Sequence, residues 1–226
     1  MNLTSPSDSR VLIESVIETL QQGETLLTEI SDETYTRKVP IAFNASIGGH
    51  YRHCLDHFRS LLDSAMDGDL NYDHRERDTL IEKDRFAALN ATGELREGYE
   101  RLDPIFLMRP LAVTCKTSYA TNDSQVSPST IGREIMYSVA HAVHHYALIG
   151  VMGGIMGLTM PAGFGVAPST LKHEAEAAVK IAIAGRRLEE LDRKSGKWSR
   201  VNSSSGKRLV KIKLAPGDGR LFRVAN

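Results

Sequence analysis

The stretch SIGGHYRHCLDHFRSLLDSAMDG, residues 46–68, places His50, His53 and His57 within eight positions of a chain that holds only eight histidines. It reads as a helix to about residue 66, with Gly68 ending it. At about 100° per residue the three imidazoles fall within roughly 60° of one another, so one helix face carries them all. Whether that face is ordinary helix surface or a set of ligands decides both the architecture and the chemistry.

Outward from this segment the pattern is mainly helical. Residues 9–30 carry Val11, Leu12, Val16, Leu20 and Leu27 at helical period, and a polar connection with Pro40 follows. The charged segment DGDLNYDHRERDTLIEKD precedes a third helix over 85–102, closed by Asp103 and Pro104. PLAVTCKTSYA, residues 110–120, mixes β-branched residues with alternating polarity and suits a short strand or hairpin arm. Ser127 followed by Pro128 then resembles an N-cap with proline in the first turn, opening a fourth helix through IGREIMYSVAHAVHHYALIG. Residues 135–171 contain no Asp, Glu, Lys or Arg, which raises a membrane-spanning reading. Six glycines, two prolines and three histidines interrupt the run, so a buried helix followed by an apolar loop fits better. Ser169 would cap a final helix running toward Leu191. The fold class expected is therefore all-α.

With 226 residues and 41% hydrophobic content, the chain suffices for one well-buried domain and a modest appendage. Two cysteines and the polar opening MNLTSPSDSR argue for reduced thiols and a cytoplasmic location. Net charge is zero but unevenly spread, with nine Lys or Arg against Asp218 alone from residue 194 onward, +8, leaving −8 for residues 1–193. An acidic body argues against nucleic-acid binding there. Two domains follow, a helical body over 1–193 and a basic linker and tail over 194–226. In the tail, KRLVKIKL, APGDG and RLFRVAN read as a β-hairpin that must dock on the body, pair with another chain or remain partly disordered.

The fourth helix holds HAVHH, in which His141 and His145 stand at i, i+4 and stack on one face, the spacing at which two helical imidazoles chelate one ion. His144 points off that face. Glu134, two turns earlier on nearly the same stripe, is placed to orient a ligand or accept a proton. A single histidine on a partly polar helix needs only a satisfied ring nitrogen. Six of the eight on two helices, each cluster facially aligned, require several partners at once, and a metal ion is one common partner.

SIGGHYRH, the YDHRERD segment, HAVHH and the closing FGVAPST together resemble the DinB/YfiT-like superfamily over about residues 5–175. The resemblance implies a DinB/YfiT-like four-helix bundle of up-down-down-up topology, holding a divalent metal through three histidines. It implies His141 and His145 as the pair, and, counted about seven residues from Ser46, His53 as the third ligand. His50 competes for that place one turn earlier, and His57 more weakly. Related members include thiol-dependent transferases, sulfoxide-synthase domains and maleylpyruvate isomerase-like proteins, so fold transfers more safely than reaction.

Three neutral imidazoles leave an ion its full charge and an open position, the arrangement of a catalytic site that lowers the pKa of a bound water or thiol. Zinc comes first, with nickel and iron also suited to imidazole, and a low-molecular-weight thiol is the cofactor consistent with thiol transfer. The charged run NYDHRERD reads either as a solvated loop or as the place where Arg75 or Arg77 binds the carboxylate of a small-molecule substrate or thiol. Glu82 would bind another polar group nearby. Arg52 reads as helix surface and Cys54 as a buried small side chain. Phe164, in GFGVAPST, would wall the pocket. The expected function is a metal-dependent transferase or hydrolase, and the contrasting expectation is a noncatalytic binding or assembly module in which a metal pins two helices. An apolar bundle face would support a homodimer, and no membrane partner is expected.

Overall fold

The computed structural model describes residues 6–73, 79–176, 179–182, 187–192, 195–201, 209–212 and 221–225. The chain divides into two compact units, Met1–Val166 and Ala167–Asn226. In the first, the long helices are α1 (Pro6–Glu29), α3 (Ile47–Asp67), α5 (Arg85–Glu100) and α6 (Ile131–Ile155), with short α2 (Asp32–Thr36) and α4 (Thr79–Lys83) between them. Helix α1 packs against α5 and α6, and α3 packs against the same two.

The helix ends follow local chemistry. Ser46 Oγ accepts the Gly49 N–H at 3.1 Å, which satisfies one of the four orphan donors of α3. Gly68 stops the helix in the left-handed region at φ 88°, donating its N–H to the Ser64 carbonyl. Asp84 caps α5 by accepting the N–H groups of Phe86 and Ala87.

The core of this unit joins Val16, Leu20 and Leu27 of α1 to Leu55, Phe58 and Leu61 of α3, with Leu95 of α5 and Ile135 and Ile149 of α6. Each such side chain contributes about 1.5–3 kcal/mol on burial. Val11, part of the expected stripe, is instead exposed. Tyr51 and Tyr146 stack at 6.1 Å with planes 9° apart, joining α3 to α6. Their hydroxyls bond Thr92 at 2.9 Å and the Thr19 carbonyl at 3.2 Å. Both approach α1 at Gly23, where a Cβ would stand 2.5 Å from the Tyr146 hydroxyl oxygen.

The all-α expectation is overturned, because the chain is mixed α/β. Strands β1 (Asp69–Asn71), β2 (Pro110–Cys115) and β3 (Gln125–Thr130) form a sheet of order β1-β2-β3, with β1 parallel and β3 antiparallel to β2. The arm read at 110–120 is β2. Its partner lies in QVSPST, where Ser127 and Pro128 do not open the helix as their composition suggests. Pro128 sits opposite Ala112 on the edge strand, where a missing N–H costs no ladder bond, and Thr130 takes the cap of α6 by accepting the Arg133 N–H.

In the second unit, helix α7 (Pro168–Glu176) ends well short of the expected Leu191. The expected helix would have run through 179–182 and 187–192, but tertiary pairing takes both stretches into strands. Strand β4 (Val179–Ala182) pairs with β7 (Leu209–Ile212), and β5 (Arg187–Asp192) pairs with both β6 (Lys197–Arg200) and β8 (Phe222–Ala225). Among the described residues the tail holds two strands at the expected places, and β7 and β8 each pair with an earlier strand rather than with one another. Arg223 holds β8 to β5 through Glu189 at 2.8 Å and lies 4.3 Å over the Trp198 ring. Among the described residues no helix is long and apolar enough to cross a membrane.

Candidate metal centre

Helices α3 and α6 run antiparallel and present their histidines as two rungs. His53 Nε2 faces His141 Nε2 at 2.9 Å, and one turn away His50 Nδ1 faces His145 Nδ1 at 2.8 Å. The i, i+3 pair on α3 thus meets the i, i+4 pair on α6. The Tyr51–Tyr146 stack, one residue beyond the second rung on each helix, fixes the same register from the core side. Sequence periodicity alone locates both faces; their opposition follows from the antiparallel packing.

His53, His141 and His145 are the set of three among the described residues that could hold an ion, each offering a nitrogen within 4.8 Å of the other two. All three are half-buried. The ring of His53 lies 4.7 Å from that of His145 and 5.0 Å from that of His141, at 72° and 67°, so the rings meet edge to face around a common point. With zinc–nitrogen bonds of about 2.1 Å, two ligand nitrogens can stand no more than about 4.2 Å apart. Around a tetrahedral ion the same bond length puts ligand nitrogens about 3.4 Å apart, so the trio meets one ion after closing by up to about 1.4 Å, a movement of χ rotation. His50 lies outside this set, against His145 alone. His144 is exposed, as its offset predicts.

His57 does not join the trio but backs it. Its ring is buried, 4.4 Å from that of His141 and 4.8 Å from that of Tyr72, on which it stacks. The Tyr72 hydroxyl donates to Glu134 Oε2 at 2.9 Å, and Ser129 Oγ and Arg133 donate to Oε1 at 2.6 and 3.3 Å. Glu134 is thus a buried carboxylate with three donors. It reaches the histidines through Tyr72 and His57 rather than by a bond to His141. Burial, and then the Glu134 charge, push the Tyr72 phenol up, so it keeps its proton and remains a donor. Burial, reinforced by His144, holds His50 below the ordinary imidazole value, which keeps it neutral at pH 7.

A cavity of about 290 Å³ adjoins this network, lined by Tyr72, Cys115, Ser129, Arg133, Glu134 and Tyr137 among others. Tyr137 stacks on His141 with centroids 5.7 Å apart, so its ring stands between cavity and trio. Sequence reasoning missed Tyr137 and Arg133, although Tyr137 stands four residues before His141 on one helix face. A larger cavity of about 540 Å³ opens beside Asp56, Arg59, Asp63 and Asp69, and its described lining includes no histidine.

Arg75 and Arg77 lie outside the described residues. Glu82 is tied by Lys38 at 3.2 Å and Arg52 at 3.3 Å. Arg52 is not free helix surface, since it also pairs with Asp56. Burial would raise the Glu82 carboxyl, but Lys38 and Arg52 outweigh it and hold the group below its ordinary value. Cys54 is buried in the core, which pushes its thiol up and leaves it unreactive. Phe164 does not wall the pocket at the histidines; it stacks on Tyr146 at 4.8 Å in the core.

No family model matches the chain, and no solved structure matches it. The chain is similar to a protein of Rhizopus delemar named FK506-binding protein 5, with 38% identity over 104 residues. The match covers 46% of this chain and 27% of that protein, so the chain spans about a quarter of the relative's length.

Proposed function

We propose that the protein is a metal-dependent enzyme of the thiol-transferase or hydrolase type, with His53, His141 and His145 holding a divalent ion. The observation that carries this reading is the convergence of three imidazoles from two helices, with no carboxylate among them. The ion, zinc first and nickel or iron also suited to the donors, supplies Lewis acidity at an undiluted charge. Relatedness to the DinB/YfiT-like superfamily is part of the proposal, supported by the SIGGHYRH and HAVHH segments and independent of the bundle expectation corrected above.

Around the trio, the chain's own residues bind and orient. Tyr72 and Tyr137 wall the cavity that would take a small-molecule substrate, and Arg133 offers its guanidinium to an anionic end. Glu134 fixes the Tyr72 hydroxyl and is the proton acceptor of the reading. Arg75 and Arg77 would hold the carboxylate of a low-molecular-weight thiol. A cytoplasmic location suits a protein whose two cysteines, Cys54 and Cys115, form no disulfide. Met136, Leu148, Val151 and Ile155, exposed on α6, give an apolar face that suits a homodimer.

The test is to load purified protein with zinc and assay two reactions, consumption of small thiols with an electrophilic acceptor and hydrolysis of activated esters. Turnover that needs the metal and disappears in His53→Ala, His141→Ala and His145→Ala supports the proposal. A zinc-loaded protein inert in both reactions favours the noncatalytic module, in which the ion would pin α3 to α6.

A further inference from the structure

The loop between α2 and α3 presents two apolar side chains to water on a backbone that resists doing so. Val39 and Ala45 pair as an isolated bridge, the Val39 N–H donating to the Ala45 carbonyl at 2.9 Å. The Ala45 N–H donates in turn to the Ala42 carbonyl, closing a turn whose central residues, Phe43 and Asn44, stand at φ 56° and 57°. Two consecutive positive angles make the mirror-image turn that glycine and asparagine accept readily. Phenylalanine does not, because its Cβ crowds the backbone in that region. Yet Phe43 is 99% exposed, and Ile41 on the same loop is 79% exposed. At that exposure nothing packed on the ring offsets the strain among the described residues. The base of the turn is fixed by buried Val39 and by the Ser46 cap of α3, so the ring is held outward.

The chain carries a surface of matching character. Beyond Arg133 the outward side of α6 holds Met136, Leu148, Val151 and Ile155, all exposed, and no residue from 135 to 171 is charged. A Cβ at Gly150 or Gly154 would meet nothing within 4 Å, which leaves room for a second helix to approach closely. At their exposures these four residues with Ile41 and Phe43 present roughly 750 Å², near the about 800 Å² that each partner contributes to a standard interface. Opposing this face to itself brings no like charges together, although residues 1–193 carry −8 overall. That same charge disfavours an anionic lipid surface as the acceptor of Phe43.

We infer that the partner is a second copy of this chain, paired by an antiparallel two-fold through α6 and anchored by the Phe43 loop. Such a two-fold exchanges the ends of α6. The loop lies at the His145 end, because His50, in the first turn of α3, meets His145. Phe43 of each copy therefore faces the Met136 end of the other. The inference rests on the homodimer part of the reading above and is independent of the metal.

Sedimentation equilibrium of the full chain tests it over a wide concentration range, with wild type, Phe43→Gly and Val151→Glu. Wild type should dimerise. Phe43→Gly should weaken the dimer at least about 30-fold, the effect of losing a buried aromatic anchor. Its urea midpoint in dilute monomer should hold or rise, since glycine takes φ 56° freely, which separates a lost contact from a lost fold. Val151→Glu, a charge at an exposed helix position, should abolish the dimer. In a Cys115→Ser background, which leaves only the buried Cys54, Phe43→Cys mixed with Met136→Cys should join under a short bismaleimide, and neither variant should join itself. Wild type that is monomeric throughout overturns the inference together with the homodimer. A dimer broken by Val151→Glu but untouched by Phe43→Gly sustains α6 as the interface and overturns the role of Phe43. Self-joining of Phe43→Cys would show a parallel pairing and overturn the geometry.

Discussion

Replacing Gly23 by alanine tests how tightly α1 closes over the stacked tyrosines. A Cβ at this position would lie 2.5 Å from the Tyr146 hydroxyl oxygen and 2.6 Å from Tyr51 Cε2, well inside ordinary contact. Neither ring can withdraw cheaply, because both are fully buried and each hydroxyl is bonded, to Thr92 and to the Thr19 carbonyl. Overpacking costs about 1–3 kcal/mol and each disrupted bond about 1 kcal/mol, while alanine returns about 0.5–1 kcal/mol of helix propensity. The net expectation is a destabilisation of about 2–4 kcal/mol. At a urea slope of about 2 kcal/mol/M the midpoint falls by about 1–2 M. Gly93 in α5 is the control, since a Cβ there meets nothing within 4 Å, and Gly93→Ala should stabilise by about 0.5–1 kcal/mol. Equal midpoints for Gly23→Ala and wild type would refute the close packing of α1 on the Tyr51–Tyr146 stack.

Tyr72→Phe removes one of three donors from the buried Glu134 carboxylate and should cost about 1–3 kcal/mol, whereas an unchanged urea midpoint would show that the bond contributes nothing. Glu82 is held below its ordinary value, so its contribution to stability is present above the unfolded carboxyl pKa of about 4.3 and is lost as pH falls through the lower folded value. Glu82→Gln should therefore lose less stability than wild type on acidification through that window, and parallel acid limbs would contradict the assignment. Zinc at about 100 times its dissociation constant should add about 2.7 kcal/mol, a rise in melting temperature of about 5–10 °C, abolished by removal of any one of the trio. A zinc-induced rise that survives in His141→Ala would place the ion elsewhere.

The four long helices were legible because each carries a local signal: the apolar stripe of α1, the Gly68 stop of α3, the Asp103–Pro104 break after α5 and the uncharged run of α6. The metal-ligand candidates were legible for the same reason, since i, i+3 and i, i+4 spacing is a property of one helix. What stayed hidden depends on pairing between distant segments. Ser127–Pro128 carries the composition of a helix start, and only β2 lying alongside makes it an edge strand. Likewise β7 and β8 were recognisable as strands, but their true partners, β4 and β5, precede them within the span of the expected final helix. The Tyr72–Glu134 bond joins positions 62 residues apart and has no local signature.

Metal content tests the central claim most directly. Wild type, His53→Ala, His141→Ala and His145→Ala are purified under one chelator wash, reconstituted with zinc and analysed by elemental mass spectrometry. The account predicts one ion per wild-type chain and loss in each variant. Wild type that stays metal-free after reconstitution with zinc, nickel and iron would contradict it.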